Sequence, residues 1–373
     1  MTRRQKRYLR RQEQRAAKKA EILKENLTFD KVVDYSSLYD AAQKAANGVR
    51  WKSSVQQYFL NIFTHIVAAK KTLLKGKYID MGFVEFDLCE RGKMRHIRSV
   101  HFVVRVLEKS LCKNALHPVL GRSLITDNGA SQKGKGTLFA QKRLVQQLRK
   151  YYKKYGNKGY ILLLDFKGYF DNIEHPQLKA EVSKYFEDKR IINLHNHCVD
   201  AFGDKGIGLG SEVSQIDAIT YVNSIDHYIK EKLQIKGYGR YMDDSYIIHP
   251  SKEVLQDILN KLKPKYEQLG IKLNPKKTCI ADLRHGFLFL KTRFFLTDTG
   301  KILRKPCRDS ITRERRKLKN QAKLYYKGLL PFNAIRQSFV SWAGPMKYRH
   351  ARKTVYNMTK LLNQLFKKGE KNE

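Results

Sequence analysis

GYGRYMDDSYIIH, residues 237–249, is the stretch on which the fold turns. β-Prone residues lead into an acidic pair and Ser-Tyr-Ile-Ile follows it, so the pattern predicts one strand, a tight turn and a second, apolar strand. The turn sets Asp243 and Asp244 side by side between apolar runs, which is costly to both carboxylates unless a cation neutralises them. Upstream, YILLLDF at 160–166 predicts a buried strand that ends in Asp165, 78 positions before Asp243. If these strands pair side by side, the three carboxylates converge. Hard oxygen ligands in such a group suit Mg2+, which binds through carboxylates together with substrate phosphate oxygens. Two ions roughly 3.5–4 Å apart would clamp the attacking and leaving oxygens of a phosphoryl displacement.

The rest of the chain has the opposite charge. Its 373 residues hold 75 Lys and Arg against 35 Asp and Glu, a formal net charge of +40. A compact chain with that excess repels itself unless a polyanion lies against it, and a phosphate backbone is the expected one, with an anionic membrane surface the alternative. No apolar run approaches the roughly 20 residues of a membrane span, and the basic N-terminus lacks the apolar stretch of a signal peptide. A cytoplasmic protein with no membrane partner is expected. Hydrophobic residues make up 42% and aromatics 11%, which predicts a folded chain. Cys89, Cys112, Cys198, Cys279 and Cys307 are scattered without a C-x-x-C pair, so neither a zinc knuckle nor a disulfide framework is indicated. His195, His197 and Cys198 in LHNHC have the wrong spacing for a closed zinc site and read as helix surface and core.

Residues 1–26 are helix-prone and dense in Arg and Lys, suiting either a helix laid on nucleic acid or a solvated extension. Residues 35–75 read as helical, with Leu60, Ile62, Phe63 and Ile66 as a core face. Strand-like alternation over 78–87 is followed by a turn at Gly92-Lys93, a basic cluster of Lys93, Arg95 and Arg98, and a helical stretch through Leu111. A Gly-rich loop at 127–137 precedes a basic amphipathic helix over 138–153. Helix is expected again at 251–268, strands at 286–296, and basic helix from Lys301 onward.

Five segments in order now carry a resemblance. YMDD at 241–244 resembles motif C of reverse transcriptases, and LLLDFKGYFDNIEH at 162–175 resembles their motif A. GLGSEVSQIDAITYVNSID at 208–226 resembles motif B, GIKLNPKKT at 270–278 motif D, and GFLFLKTRF at 286–294 the motif E primer grip. The resemblance implies an α+β right-hand polymerase with fingers, a palm on an antiparallel sheet with packed helices, and a helical thumb. Its divisions would be a basic helical extension at 1–76, fingers at 77–159, palm at 160–300 and thumb at 301–373. It implies synthesis of cDNA from dNTPs on an RNA template with two Mg2+ ions, or Mn2+ in their place. Asp165, Asp243 and Asp244 would hold the metal, joined by the backbone carbonyl of Phe166. Phe170 would be the gate against a ribose 2′-hydroxyl, or Tyr169 if the register differs by one. Gly210, Ser214 and Gln215 would shape the nucleotide pocket, and Lys277 would protonate the departing pyrophosphate. Lys93 and Arg95, with Arg98 as a further candidate, would meet the triphosphate.

Motif B departs from the commonest pattern. Leu209-Gly210 stands where many relatives have Gln-Gly, and Ser214-Gln215 where they have Ser-Pro. That form resembles the prokaryotic enzymes of diversity-generating retroelements and of antiphage defence. It implies a bacterial or phage protein working with a dedicated RNA, and leaves a structured non-coding RNA, an accessory protein and self-association open as partners. Two other classes are weighed against this. An RNA-binding scaffold descended from a polymerase should have lost an acid, yet all three are present. An RNA-dependent RNA polymerase usually carries Gly-Asp-Asp and a smaller or polar residue near the gate, unlike Met242 and Phe170.

Overall fold

The computed structural model describes residues 28–90 and 92–366, together with residues 10, 13 and 14, so the expectation for residues 1–26 lies essentially outside the described residues. Nine strands form among them. β1 (Phe83–Glu90) and β2 (Lys93–Val100) make an antiparallel hairpin. β3 (Tyr160–Asp165), β4 (Tyr238–Tyr241), β5 (Asp244–His249) and β6 (Cys279–Asp282) make a four-stranded sheet in the order β4-β5-β3-β6. β7 (Phe287–Phe289), β8 (Thr292–Leu296) and β9 (Ile302–Pro306) make a three-stranded sheet. Every strand pair is antiparallel, and helices cover the sheets, so the fold is α+β.

The central sheet is buried on both faces, which is why β3 and β5 read as nearly continuous apolar runs. Alternate residues divide between two cores. Leu162, Leu164 and Ile247 face Leu255, Ile258, Leu262 and Tyr266 of the helix Lys252–Gln268. Ile161, Tyr246 and Ile248 face Ala140, Leu144, Leu148 and Tyr151 of the helix Thr137–Tyr155. Ser251 starts the first of these helices, its Oγ accepting from the Val254 N–H at 3.1 Å.

The helices Tyr35–Ala45, Ser53–Leu60 and Ile62–Leu74 pack into the same core as Leu162 and Leu164. The expected core face there is half corrected. Ile62 and Ile66 are buried, but Leu60 and Phe63 are 81% and 72% exposed. Asn61, at φ −124° and ψ 35°, breaks the helix between them, so one periodicity does not run through. The buried stripe is instead Ile62, Ile66, Ala69 and Leu73. A second correction falls after Lys301, where ILRKP pairs with β8 as a strand before helix begins at Arg308. The helices Arg308–Tyr326, Phe332–Ala343 and Arg352–Phe366 then close on a small core of Leu318, Ile335, Phe339, Met358 and Leu362. Among the described residues no helix is long and apolar enough to cross a membrane.

Candidate active site

The register of β3 on β5 sets Asp165 directly opposite Asp244, and β4 returns with Tyr241 opposite Asp244. Met242 and Asp243 therefore form a two-residue turn. Side chains opposite one another across a strand pair lie about 4.5–5.5 Å apart at Cβ, so two like charges here oppose each other. Burial pushes the Asp244 carboxyl up to about 7, with Asp243 and Asp165 adding to the rise. Burial raises Asp243 as well, and Asp165 reinforces it. Asp165 is 3% exposed and is already met by cationic and amide donors. Lys277 Nζ lies 2.5 Å from its Oδ2, and Asn274 Nδ2 donates to its Oδ1 at 2.9 Å. Both arrive because the segment after the helix Lys252–Gln268 is stitched to the end of β3. The Lys167 N–H donates to the Lys272 carbonyl at 2.8 Å and the Asn274 N–H to the Asp165 carbonyl at 2.8 Å.

Three clustered carboxylates, two with raised pKa and one drawing an ammonium group, form a donor set suited to hard divalent cations. The sign for pH follows from Asp244. Its folded pKa, about 7, exceeds the ordinary 3.8, so the stability it contributes is fully present below the ordinary value and is lost as pH rises through about 7. Metal-free protein should lose stability over that window, and Mg2+ should restore it where the carboxylates are charged. In thermal melts with and without Mg2+, we expect a larger stabilisation at about pH 8 than at about pH 6. An equal shift at both values would mean that this cluster does not take the ion.

What holds the turn comes in part from far along the chain. Met242 has φ +54°, a left-handed conformation unusual for a residue with a side chain. Beneath it Arg240 is fully buried, its Nη1 donating to the Met242 carbonyl at 3.2 Å and its Nη2 to the Ile219 carbonyl at 2.7 Å. The same guanidinium grips Asp226, with Nε 2.9 Å from both carboxylate oxygens and Nη2 2.6 Å from Oδ2. The Tyr238 hydroxyl also donates to Asp226. An Arg and an Asp inside otherwise apolar stretches were the available signal, since buried charges need partners.

The turn after β3 forms one wall of the site. Tyr169 is buried, its hydroxyl donating to the Ala218 carbonyl at 2.5 Å, so its ring belongs to the core. Phe170 is half-buried, stands edge-on to Tyr169 with ring centroids 6.0 Å apart, and its carbonyl accepts from the Ile207 N–H at 2.9 Å. That bond ties the turn to the lead-in of the helix Glu212–Thr220. Ser214 is buried in the first turn of this helix, its N–H donating to Ser211 Oγ at 3.3 Å. Gln215 is exposed and accepts from Ser131 Oγ at 3.3 Å, from the Gly-rich loop. Gly210 has φ +119°, and a Cβ there would lie 3.9 Å from Ile97 Cγ2 and 3.6 Å from the Arg98 carbonyl oxygen. Gly210 thus brings the helix lead-in against β2.

Residues 75–299 match the family described as reverse transcriptase (RNA-dependent DNA polymerase). The chain belongs to the reverse transcriptase family. Two solved telomerase structures are similar to it. One is apo telomerase from Candida tropicalis truncated of its C-terminal domain, at 16% identity and TM-score 0.47, covering 60% of this chain and 55% of that one. The other is telomerase from Candida albicans in complex with a TWJ fragment of telomeric RNA, at 15% identity and TM-score 0.48, covering 77% and 60%. The chain spans less than two thirds of the length of either. No curated protein matches the sequence.

The hairpin β1–β2 decides which cations face the acids. Ile97 points towards Gly210, so Arg95, two residues before it, shares its face, whereas Arg98 takes the other. The charge of Arg95 reaches Asp243 and opposes the rise of its pKa, after the larger effect of burial. Arg98 is not brought to the acids. Its Nε donates to Glu85 Oε1 at 3.1 Å, its Nη1 to the Phe202 carbonyl at 2.9 Å, and it lies over the Phe83 ring. The Lys93 side chain lies outside what the structure describes. The LHNHC residues do not cluster: His195 Nε2 lies 2.9 Å from Asp217 Oδ1 and His197 stacks on Tyr78.

Proposed function

We propose that this chain is an RNA-directed DNA polymerase that builds cDNA from dNTPs on an RNA template. The observation that carries this is the face-to-face placement of Asp165 and Asp244, with Asp243 on the adjoining turn. Asp165, Asp243, Asp244 and the backbone carbonyl of Phe166 would hold two Mg2+ or Mn2+ ions, which supply Lewis-acid stabilisation of phosphate charge when bound. Lys277, its side chain 55% exposed and resting on Asp165, is free to swing to the departing pyrophosphate and donate a proton. Arg95 and Lys93 would offer positive charge to the triphosphate from the fingers. Gly210, Ser214 and Gln215 line the pocket. The division into an extension at 1–76, fingers at 77–159, palm at 160–300 and thumb at 301–373 belongs to the same reading.

The Leu209-Gly210 and Ser214-Gln215 form of motif B supports a bacterial or phage retroelement or an antiphage defence system with a dedicated RNA. Five free cysteines support a reducing cytoplasm.

Primer extension on an RNA template with dNTPs or rNTPs tests the reading. Incorporation of rNTPs alone would indicate an RNA polymerase, and RNA binding without incorporation a scaffold. Sugar choice refines it. Phe170, the partly exposed ring of the pair, is the gate. Phe170→Ala should raise ribonucleotide use relative to dNTP about tenfold or more, which corresponds to a clash of ~1.4 kcal/mol or above. Phe170→Tyr should stay selective. Tyr169→Ala should destabilise the fold instead, and kcat/KM ratios that relax there but not in Phe170→Ala would reverse the assignment.

A further inference from the structure

The helix that begins at Phe102 does not continue regularly. After Leu111 it widens into a π-helical turn, Cys112–Leu116, in which the His117 N–H donates to the Cys112 carbonyl, and α-helix then resumes over His117–Ser123. At 3.6 residues per turn, residues five apart would lie well round the helix from one another. The widened turn brings Cys112 and His117 back into line. Such turns are rare and are frequently found at functional sites.

Glu212, the first residue of the helix Glu212–Thr220, faces the aligned pair. Cys112 Sγ, a His117 ring nitrogen and a Glu212 carboxylate oxygen all lie within 4.8 Å of one another. His117 Nε2 and Glu212 Oε1 are 3.5 Å apart, within the roughly 3.3–3.8 Å that separates ligands around a tetrahedral ion with bonds of about 2.0–2.3 Å. Lys109 Nζ donates to Glu212 Oε2 at 2.7 Å, which orients the carboxylate and leaves Oε1 on the His117 side. Cys112 is fully buried, while the His117 and Glu212 side chains are 31% and 29% exposed, so the sulfur forms the floor of a site whose mouth is open.

We propose that Cys112, His117 and Glu212 bind one borderline transition-metal ion, Zn2+ by chemistry, with a fourth position open to water. The thiol gives up its proton to solvent as the ion binds. A thiolate and an imidazole select against Mg2+ and Ca2+, which take oxygen ligands, so this site is chemically separate from the three aspartates. The ion would clamp the helix leading from β2 to the first turn of the helix that carries Ser214 and Gln215. It thereby braces the floor of the nucleotide pocket.

The test uses the full chain, stripped with chelator and titrated with Co2+ in excess Mg2+, which occupies the aspartates. We expect a thiolate-to-cobalt charge-transfer band that saturates at one equivalent and disappears on adding Zn2+. Cys112→Ser should lack the band, and His117→Ala, altered at a partly exposed position, should fold and bind Co2+ about tenfold or more weakly. Absence of the band in the unaltered protein, its survival in Cys112→Ser, or unchanged affinity in His117→Ala would each overturn the assignment. None of these readouts requires polymerase activity, so failure here and failure of the polymerase reading are told apart.

Discussion

Asp243→Asn is expected to cut dNTP incorporation by about a hundredfold to a thousandfold, the scale seen when one strong electrostatic contact is removed from a reacting centre. The substitution deletes a proposed metal ligand at the tip of the β4–β5 turn and leaves Asp165 and Asp244 in place. RNA affinity should stay nearly unchanged, because it comes from Lys and Arg distributed over a chain of net charge +40. Stability without metal should hold or rise, since Asp243 is one of the charges that raise Asp244. Single-turnover primer extension, RNA binding and thermal melting measured on one preparation check the three parts together. Polymerisation within about tenfold of the unaltered chain would sink the three-carboxylate assignment.

Arg240→Met is expected to destabilise the fold by about 3–5 kcal/mol, because it strands a buried Asp226 carboxylate without its cation. The two side chains are 0% and 1% exposed, so water cannot take over the lost contacts. Against a total stability of about 5–15 kcal/mol, that is a large share. Arg240→Lys keeps the charge but cannot reach Asp226, the Met242 carbonyl and the Ile219 carbonyl at once. It should therefore fold better than Arg240→Met while still loosening the turn, and lose kcat for dNTP incorporation. Pairing Arg240→Met with Asp226→Leu should recover stability but not activity, since the left-handed Met242 loses its anchor either way. Urea denaturation reads the first effect and steady-state kinetics the second. A loss below about 1 kcal/mol in Arg240→Met would show that the turn is held by other contacts.

What the sequence determined by itself is local. The apolar run that ends in Asp165, the acidic turn at Asp243 and Asp244, and the Ser251-capped helix to Gln268 are set by neighbours within a few residues, so alternation and turn chemistry sufficed to read them. Five ordered motifs then pointed to the family. The tertiary structure decided whatever depends on partners far along the chain. Asp165 meets Asp244 across 79 positions only because β3 and β5 pair in one register, and a slip of one residue would turn the carboxylates to opposite faces. Packing, not pattern, buried Tyr169 and exposed Leu60 and Phe63. The Arg240–Asp226 pair and the Lys277–Asp165 pair followed the same rule. A charged side chain carries no mark of its partner. It is stable in the interior only where the completed fold delivers an opposite charge to the same point.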